Sequence, residues 1–268
     1  MWTRQPLVYC DADWSNPLTE GLCALFNHGI LWFNSLNPVT GTPVNAVNGL
    51  RPAIFGQSVS KLLEVRPGVG LNFAAATTDR YDSNTLPGMS GSTAFTLFSL
   101  QTVNLTAAQK STLDADNETS ARIFQLKLDA SNKATFVRFN TGGSVFVAAD
   151  AAAVTANQAA AGVCIGAVSN GAAISIWTDR KKTVGSAVSG TPAGMTSTIS
   201  VGVHRPTTLS VPFDGTMLLW GAWTRALGDE EMISLVDNPW QLFARPSLRV
   251  FAPLSASTSS RQRWFLTQ

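Results

Sequence analysis

Acid–base and nucleophilic chemistry need particular side chains held close together, and this chain offers few. Its 268 residues carry 17 Asp and Glu and two His. The five Glu are Glu20, Glu64, Glu118, Glu230 and Glu231. A glycoside hydrolase needs two carboxylates about 5–5.5 Å apart for retention or about 6.5–9.5 Å apart for inversion. Asp114-Ala-Asp116 alternates as a strand would, but it sits in a polar stretch and reads as a loop. Asp229-Glu230-Glu231 reads as the start of a helix, where the positive dipole end favours carboxylates. His28 and His204 read as turn or strand-end residues, and neither is near a Gly-x-Ser-x-Gly elbow. Cys10, Cys23 and Cys164 show no Cys-x-x-Cys and no metal-ligand spacing; Cys164, between Val163 and Ile165, reads as core. Asp79, Asp82 and Asn84 form an oxygen-rich loop of the kind calcium accepts, without EF-hand spacing. A solvated turn is the expectation there, with no metal, no cofactor and no enzyme activity.

Binding chemistry has better candidates. Sugar sites pair exposed aromatics, for ring faces, with Asn or Asp, for hydroxyls. Trp177, Trp32 and Tyr81 are the aromatic candidates, although a Trp on a strand is commonly core. Asn37 and Asn48 flank a polar loop that could meet a glycan. Asn238–Gln268 is the most distinctive stretch. It holds Trp240, Phe243, Phe251, Trp264 and Phe265 with Arg245, Arg249, Arg261 and Arg263, and no acid. Burying each aromatic yields roughly 1.5–3 kcal/mol, and aromatics with Arg are the preferred anchors of interfaces. This arm is expected to pack partly on its own domain and partly on a neighbouring protein.

The elements that must position these residues read as strands. Gly, Pro, Ser and Thr are spread throughout, and charged residues make up only 13%. In Arg122–Asp129, Phe124, Leu126 and Leu128 point one way, with Gln125 and Lys127 opposite. Asp129–Lys133 is a turn and Ala134–Phe139 its return strand. Asn170-Gly171 between two apolar runs is a hairpin signal. Phe95–Leu100 is a further strand. Thr216–Trp223 is apolar on both faces and reads as a central strand covered on both sides, with Trp220 and Trp223 in the core. One helix is clear after Gly228, with Met232, Leu235 and Val236 as its apolar stripe and Asn238-Pro239 as its stop. Ala148–Gly162 reads as a short helix or a plain connector, with the connector favoured, and the opening 50 residues show few long strands.

Composition bounds the rest. The chain is long enough for one large β domain, and 14 Phe and 8 Trp oppose disorder. Net charge is +2, which gives no reason to expect nucleic-acid binding. The charge is divided unevenly: 15 Lys and Arg face all 17 acids before Asn238, and four Arg follow it. Three cysteines suggest synthesis in a reducing compartment. No signal peptide and no run of ~20 apolar residues is visible, so no membrane insertion is expected.

Four segments resemble the LamG-like, concanavalin A-like jelly-roll family, in the versions found in tailed-phage and prophage virion proteins. Trp14–Leu22 is similar to the family's opening before its first strand. Val69–Phe73 with Asp79-Arg80-Tyr81 is similar to a strand and turn. Ala173–Lys182 resembles its hairpin, with Asp179-Arg180 where Asp-Gly is usual. Pro212–Leu227 and the following helix resemble its closing strand, and Asp237–Phe243 a tail common in phage members. The similarity spans about residues 14–243. It implies an all-β, two-sheet antiparallel sandwich, over 1–237, with one short C-terminal helix and an extended arm over 238–268. Periodicity alone does not separate this from an immunoglobulin-type sandwich. Hydrolases of this superfamily use a Glu-x-Asp-x-x-Glu strand, which is lacking here. The resemblance implies an accessory virion protein, made in the host cytoplasm, whose partners are other virion proteins, copies of itself and cell-surface polysaccharide. A purely architectural protein without a ligand stays open, as does, with less in its favour, a polysaccharide hydrolase.

Overall fold

The computed structural model describes residues 4–6, 10–34, 37–47, 53–55, 62–65, 68–74, 80–83, 86–117, 121–194, 199–204 and 210–244. Two antiparallel sheets face each other. The first runs, edge to edge, through Lys181–Ala187, Ala173–Thr178, Val163–Asn170, Ala94–Val103, Gly215–Trp223, Leu22–Asn34 and Asn37–Asn45; Gly68–Phe73 and Leu62–Val65 extend it alongside Gly215–Met217. The second runs through Val145–Ala149, Ala134–Phe139, Ala121–Leu128, Lys110–Asn117, Ser200–Val201, Arg80–Asp82 and Ala53–Phe55. The fold is the expected two-sheet sandwich.

Alternation builds the interior. Phe124, Leu126, Leu128, Ala134 and Phe136 point from the second sheet toward Phe95, Leu97, Ile165 and Ile176 of the first. Phe95, Phe124 and Phe136 form an aromatic knot with centroids 5.6–6.3 Å apart, and Phe26 stacks on Trp220 at 4.7 Å. Such offset and edge-on pairs are worth about 0.5–1.5 kcal/mol beyond burial.

The first sheet has a second core on its outer face. Leu25, Phe98, Leu219 and Trp223 are covered there by Cys10, Ala12 and Leu18 and by Met232, Leu235, Trp240, Leu242 and Phe243. Every residue of Gly215–Trp223 is therefore buried, as its two-faced apolar run predicts. A bulge between Met217 and Leu219 turns both Leu218 and Leu219 outward, so consecutive leucines serve one face. Trp223 Nε1 donates to Leu18 O at 2.6 Å, which satisfies the polar end of a buried indole.

The helix Asp229–Asp237 carries Asp229, Glu230 and Glu231 in its first turn. Glu231 accepts from the Gly228 N–H at 2.8 Å and holds Arg225 through both oxygens. Its carboxyl is pulled below the usual range by that guanidinium. Asn170-Gly171 makes the expected hairpin: Gly171 has φ 89°, and Asn170 Oδ1 accepts from the N–H groups of Ala172 and Ala173.

Three expectations need correction. Ala148–Gly162 is more than a connector, since Ala156–Ala161 is a helix closed by a capping box between Thr155 and Gln158. The opening segment contains the 13-residue strand Leu22–Asn34 and its partner Asn37–Asn45. Asp114-Ala-Asp116 belongs to the strand Lys110–Asn117 rather than a loop. Among the described residues, no helix is long and apolar enough to cross a membrane.

Candidate functional site

The three cysteines and His28 are quickly placed. Cys10, Cys23 and Cys164 are buried thiols. Burial raises all three, Cys23 to about 12, so none is a thiolate near neutral pH. His28 is not at a strand end. It lies inside Leu22–Asn34, fully buried, with Nδ1 3.1 Å from Met217 O. Desolvation pushes it down to about 3, so it is neutral. His204 falls in the short strand Val203–His204.

The second sheet gathers carboxylates that no local pattern reveals. Ser200 pairs with Asp114 on one side and Asp82 on the other, and Asp114 pairs with Gln125. Cross-strand partners share a face, and strands stand about 4.8 Å apart. The two aspartates are thus about 10 Å apart at Cα, with Ser200 between. Leu113, Leu126 and Val201 occupy the core side, so this polar row is on the opposite face. Ser200 Oγ donates to Asp82 Oδ1 at 2.7 Å. Asp82, Ser200, Asp114 and Gln125 are all buried.

Two features are open to solvent. The first is Trp14, whose indole is 58% exposed. Trp177, Trp220, Trp223 and Trp240 are all buried. Its loop is firmly held. Asp13 Oδ1 accepts from the N–H and the hydroxyl of Ser15, the Asp13 N–H donates to Leu242 O at 2.7 Å, and Asn16 Nδ2 donates to Gln241 O. Trp14 is thus an exposed aromatic on a pinned loop, between Asp13 and Ser15 in the chain.

The second is a groove of about 180 Å³ on the outer face of the first sheet. Val168 and Ser175 lie at its floor, Asn170 and Val184 at its sides, and Lys182 and Asp229 across its mouth. Lys182 Nζ donates to Asp229 Oδ1 at 2.6 Å and lies 5.9 Å from the Trp177 ring centre. A larger cavity of about 400 Å³, beside the helix Ala156–Ala161, is lined largely by Val65, Val103, Leu105 and alanines.

The sequence-derived candidates distribute as follows. Trp177 is 2% exposed under the C-terminal helix and offers no face to a ligand. Trp32 lies in Leu22–Asn34 and Tyr81 in Arg80–Asp82, opposite Val201 and Ile54. Asn37 begins a strand rather than a loop. Asn48, Asp79 and Asn84 lie outside the described residues, as do Arg245, Arg249, Phe251, Arg261, Arg263, Trp264 and Phe265. Among the described residues, no three His, Cys, Asp or Glu come close enough to hold a metal ion. Trp240 and Phe243, expected in a docking arm, are instead buried in the outer core. Ala12 bridges Phe243, and the Ala244 N–H donates to Asp11 O. Residues 238–244 thus close over the body beyond the expected boundary. Trp14 was legible as part of the family-like opening, but its exposure depends on packing that no local signal shows.

No protein-family model matches the chain, and no curated protein matches it in sequence. Many solved structures share its fold. The binding domain of a Paraclostridial mosquitocidal protein aligns with a TM-score of 0.60 and 10% identity, over 82% of this chain and 52% of that one. The binding domain of botulinum neurotoxin DC, in complex with SialylT, aligns with a TM-score of 0.57 and 10% identity, over 82% and 52%. The sialidase of Trypanosoma rangeli, in complex with 2,3-difluorosialic acid, aligns with a TM-score of 0.58 and 12% identity, over 84% and 34%. The shared architecture is the antiparallel two-sheet β-sandwich. The chain spans about half of the two binding domains and a third of the sialidase. The expectation of no enzyme activity is corrected here. A sialidase is among the solved structures that share this fold.

Proposed function

We propose that this chain is an accessory structural protein on the exterior of a tailed-phage particle, on the tail or the head. There it presents a carbohydrate-binding surface for attachment to host polysaccharide. The observation that carries the binding reading is Trp14, an exposed indole on a loop pinned at both ends. The neighbours support it, because the same fold occurs in proteins in complex with SialylT and with 2,3-difluorosialic acid. The phage reading is supported by the family-like closing segment, Thr224–Leu227 with its helix and Asp237–Phe243. Individual sites of this kind are weak, and many copies on one particle multiply them. The chain is made in the host cytoplasm and resides in the virion. Residues 245–268, with four Arg and three aromatics, dock onto a neighbouring virion protein.

A glycan array probed with the purified full chain tests the binding reading, with product sizing after incubation with host polysaccharide. Binding that Trp14→Ala weakens about tenfold or more supports it. A blank array contradicts it, and shortened chains move the protein to the hydrolases. Truncation after Ala244 tests the arm: the domain stays folded and incorporation into the particle is lost.

A further inference from the structure

We propose that the groove between the Asn170-Gly171 hairpin and the start of the C-terminal helix is a subsite for one neutral pyranose unit, separate from Trp14. The inference rests on the carbohydrate reading above and adds a second contact to it. Ser175 decides the chemistry. It is only 7% exposed and lines the groove, yet its hydroxyl makes no hydrogen bond to another described residue. The hydroxyl is therefore open at the groove, with its donor and acceptor positions available to a ligand. A sugar hydroxyl entering the groove supplies a partner.

The mouth is matched to the same ligand. Lys182 Nζ spends one donor on Asp229 Oδ1 and keeps two. Asp229 keeps its second oxygen for accepting. An ammonium and a carboxylate side by side meet two neighbouring hydroxyls, one accepting from Lys182 and the next donating to Asp229. The pair is neutral as a whole, so the site favours an uncharged sugar over an acidic one. Val184, 68% exposed, and Val168 supply apolar surface for the C–H face of the ring. At about 180 Å³ the groove is smaller than the ~300–1,000 Å³ of drug-sized sites, which limits it to a single ring.

Saturation-transfer NMR on the full chain tests this. The probes are the methyl pyranosides of glucose, galactose and mannose, and the polymers dextran, galactan and mannan. Transfer to at least one pyranoside is expected. It should weaken about fivefold or more in Ser175→Ala/Val184→Ser, and Trp14→Ala should leave it unchanged. Val184→Ser alone alters an exposed position and guards against misfolding as the cause. Unchanged transfer in the double variant overturns the subsite. If a polymer then still depends on Trp14, the carbohydrate reading survives without it. Transfer to none of the probes overturns the subsite and counts against the wider reading as well. Signal from polymers alone, lost in the double variant, places the unit within a chain.

Discussion

His28 shows how a single residue ties stability to pH. Burial lowers it from 6.5 to about 3, so the folded protein keeps it neutral while the unfolded chain takes up a proton below about pH 6.5. The stability associated with His28 is therefore complete above pH 6.5. It is lost as pH falls toward 3, at about 1.4 kcal/mol per pH unit. Urea unfolding near pH 7 and near pH 5 should show this fall, and His28→Gln should flatten it. A wild-type midpoint that His28→Gln tracks in parallel would refute the assignment. Lys110 is a buried charge of another kind. Its three donors reach Thr106 O, Ala108 O and Asn132 Oδ1, so it fastens two turns and has no donor left for a ligand. Trp14 is the opposite case, a large apolar side chain that the fold leaves in water. Trp14→Ala should leave stability within about 0.5 kcal/mol, as surface substitutions do, while weakening glycan binding. Thermal melts beside binding curves separate the two effects.

At the scale of elements, closure of the sandwich depends on edge strands meeting. Lys181–Ala187 of the first sheet passes Val145–Ala149 of the second so closely that a Cβ on Gly185 would lie 2.6 Å from Val147 O and Ala148 Cβ. Gly185→Val should cost about 1–3 kcal/mol by forcing these strands apart, measurable as a lowered urea midpoint. The segment 239–244 is equally integral. Trp240→Ala should cost about 3–5 kcal/mol, whereas an expendable arm would tolerate it. These elements were not equally legible in the sequence. The hairpin at Asn170-Gly171, the strand Gly215–Trp223 and the helix Asp229–Asp237 have local causes: a turn dipeptide, an unbroken apolar run and an acidic first turn. The Thr155/Gln158 capping box is local too, and its spacing could have revealed the helix Ala156–Ala161. Leu22–Asn34 was obscured because it carries Asn27 and His28, whose partners are distant. Gln5 Nε2 donates to Asn27 Oδ1, Asn27 Nδ2 to Pro6 O, and His28 meets Met217. Asp114 looked like a loop residue for the same reason, since its neighbours on the face come from other strands. Trp177 looked exposable because the helix that covers it begins at Asp229, far downstream.

For the whole molecule, the decisive feature is the division of labour between faces. The first sheet packs inward on the second sheet and is covered over much of its outer face by segments 10–18 and 232–243. These two segments meet in one seam, where Asp11, Ala12 and Asp13 bond to Leu242, Phe243 and Ala244. Trp14 stands on that seam. The most direct test is a binding titration of the full chain against intact host cell-surface polysaccharide, with Trp14→Ala alongside. We expect saturable binding that weakens about tenfold or more when the indole is removed, at unchanged stability. Equal binding by both proteins would contradict a platform that rests on Trp14, and binding by neither would contradict a carbohydrate platform on this sandwich.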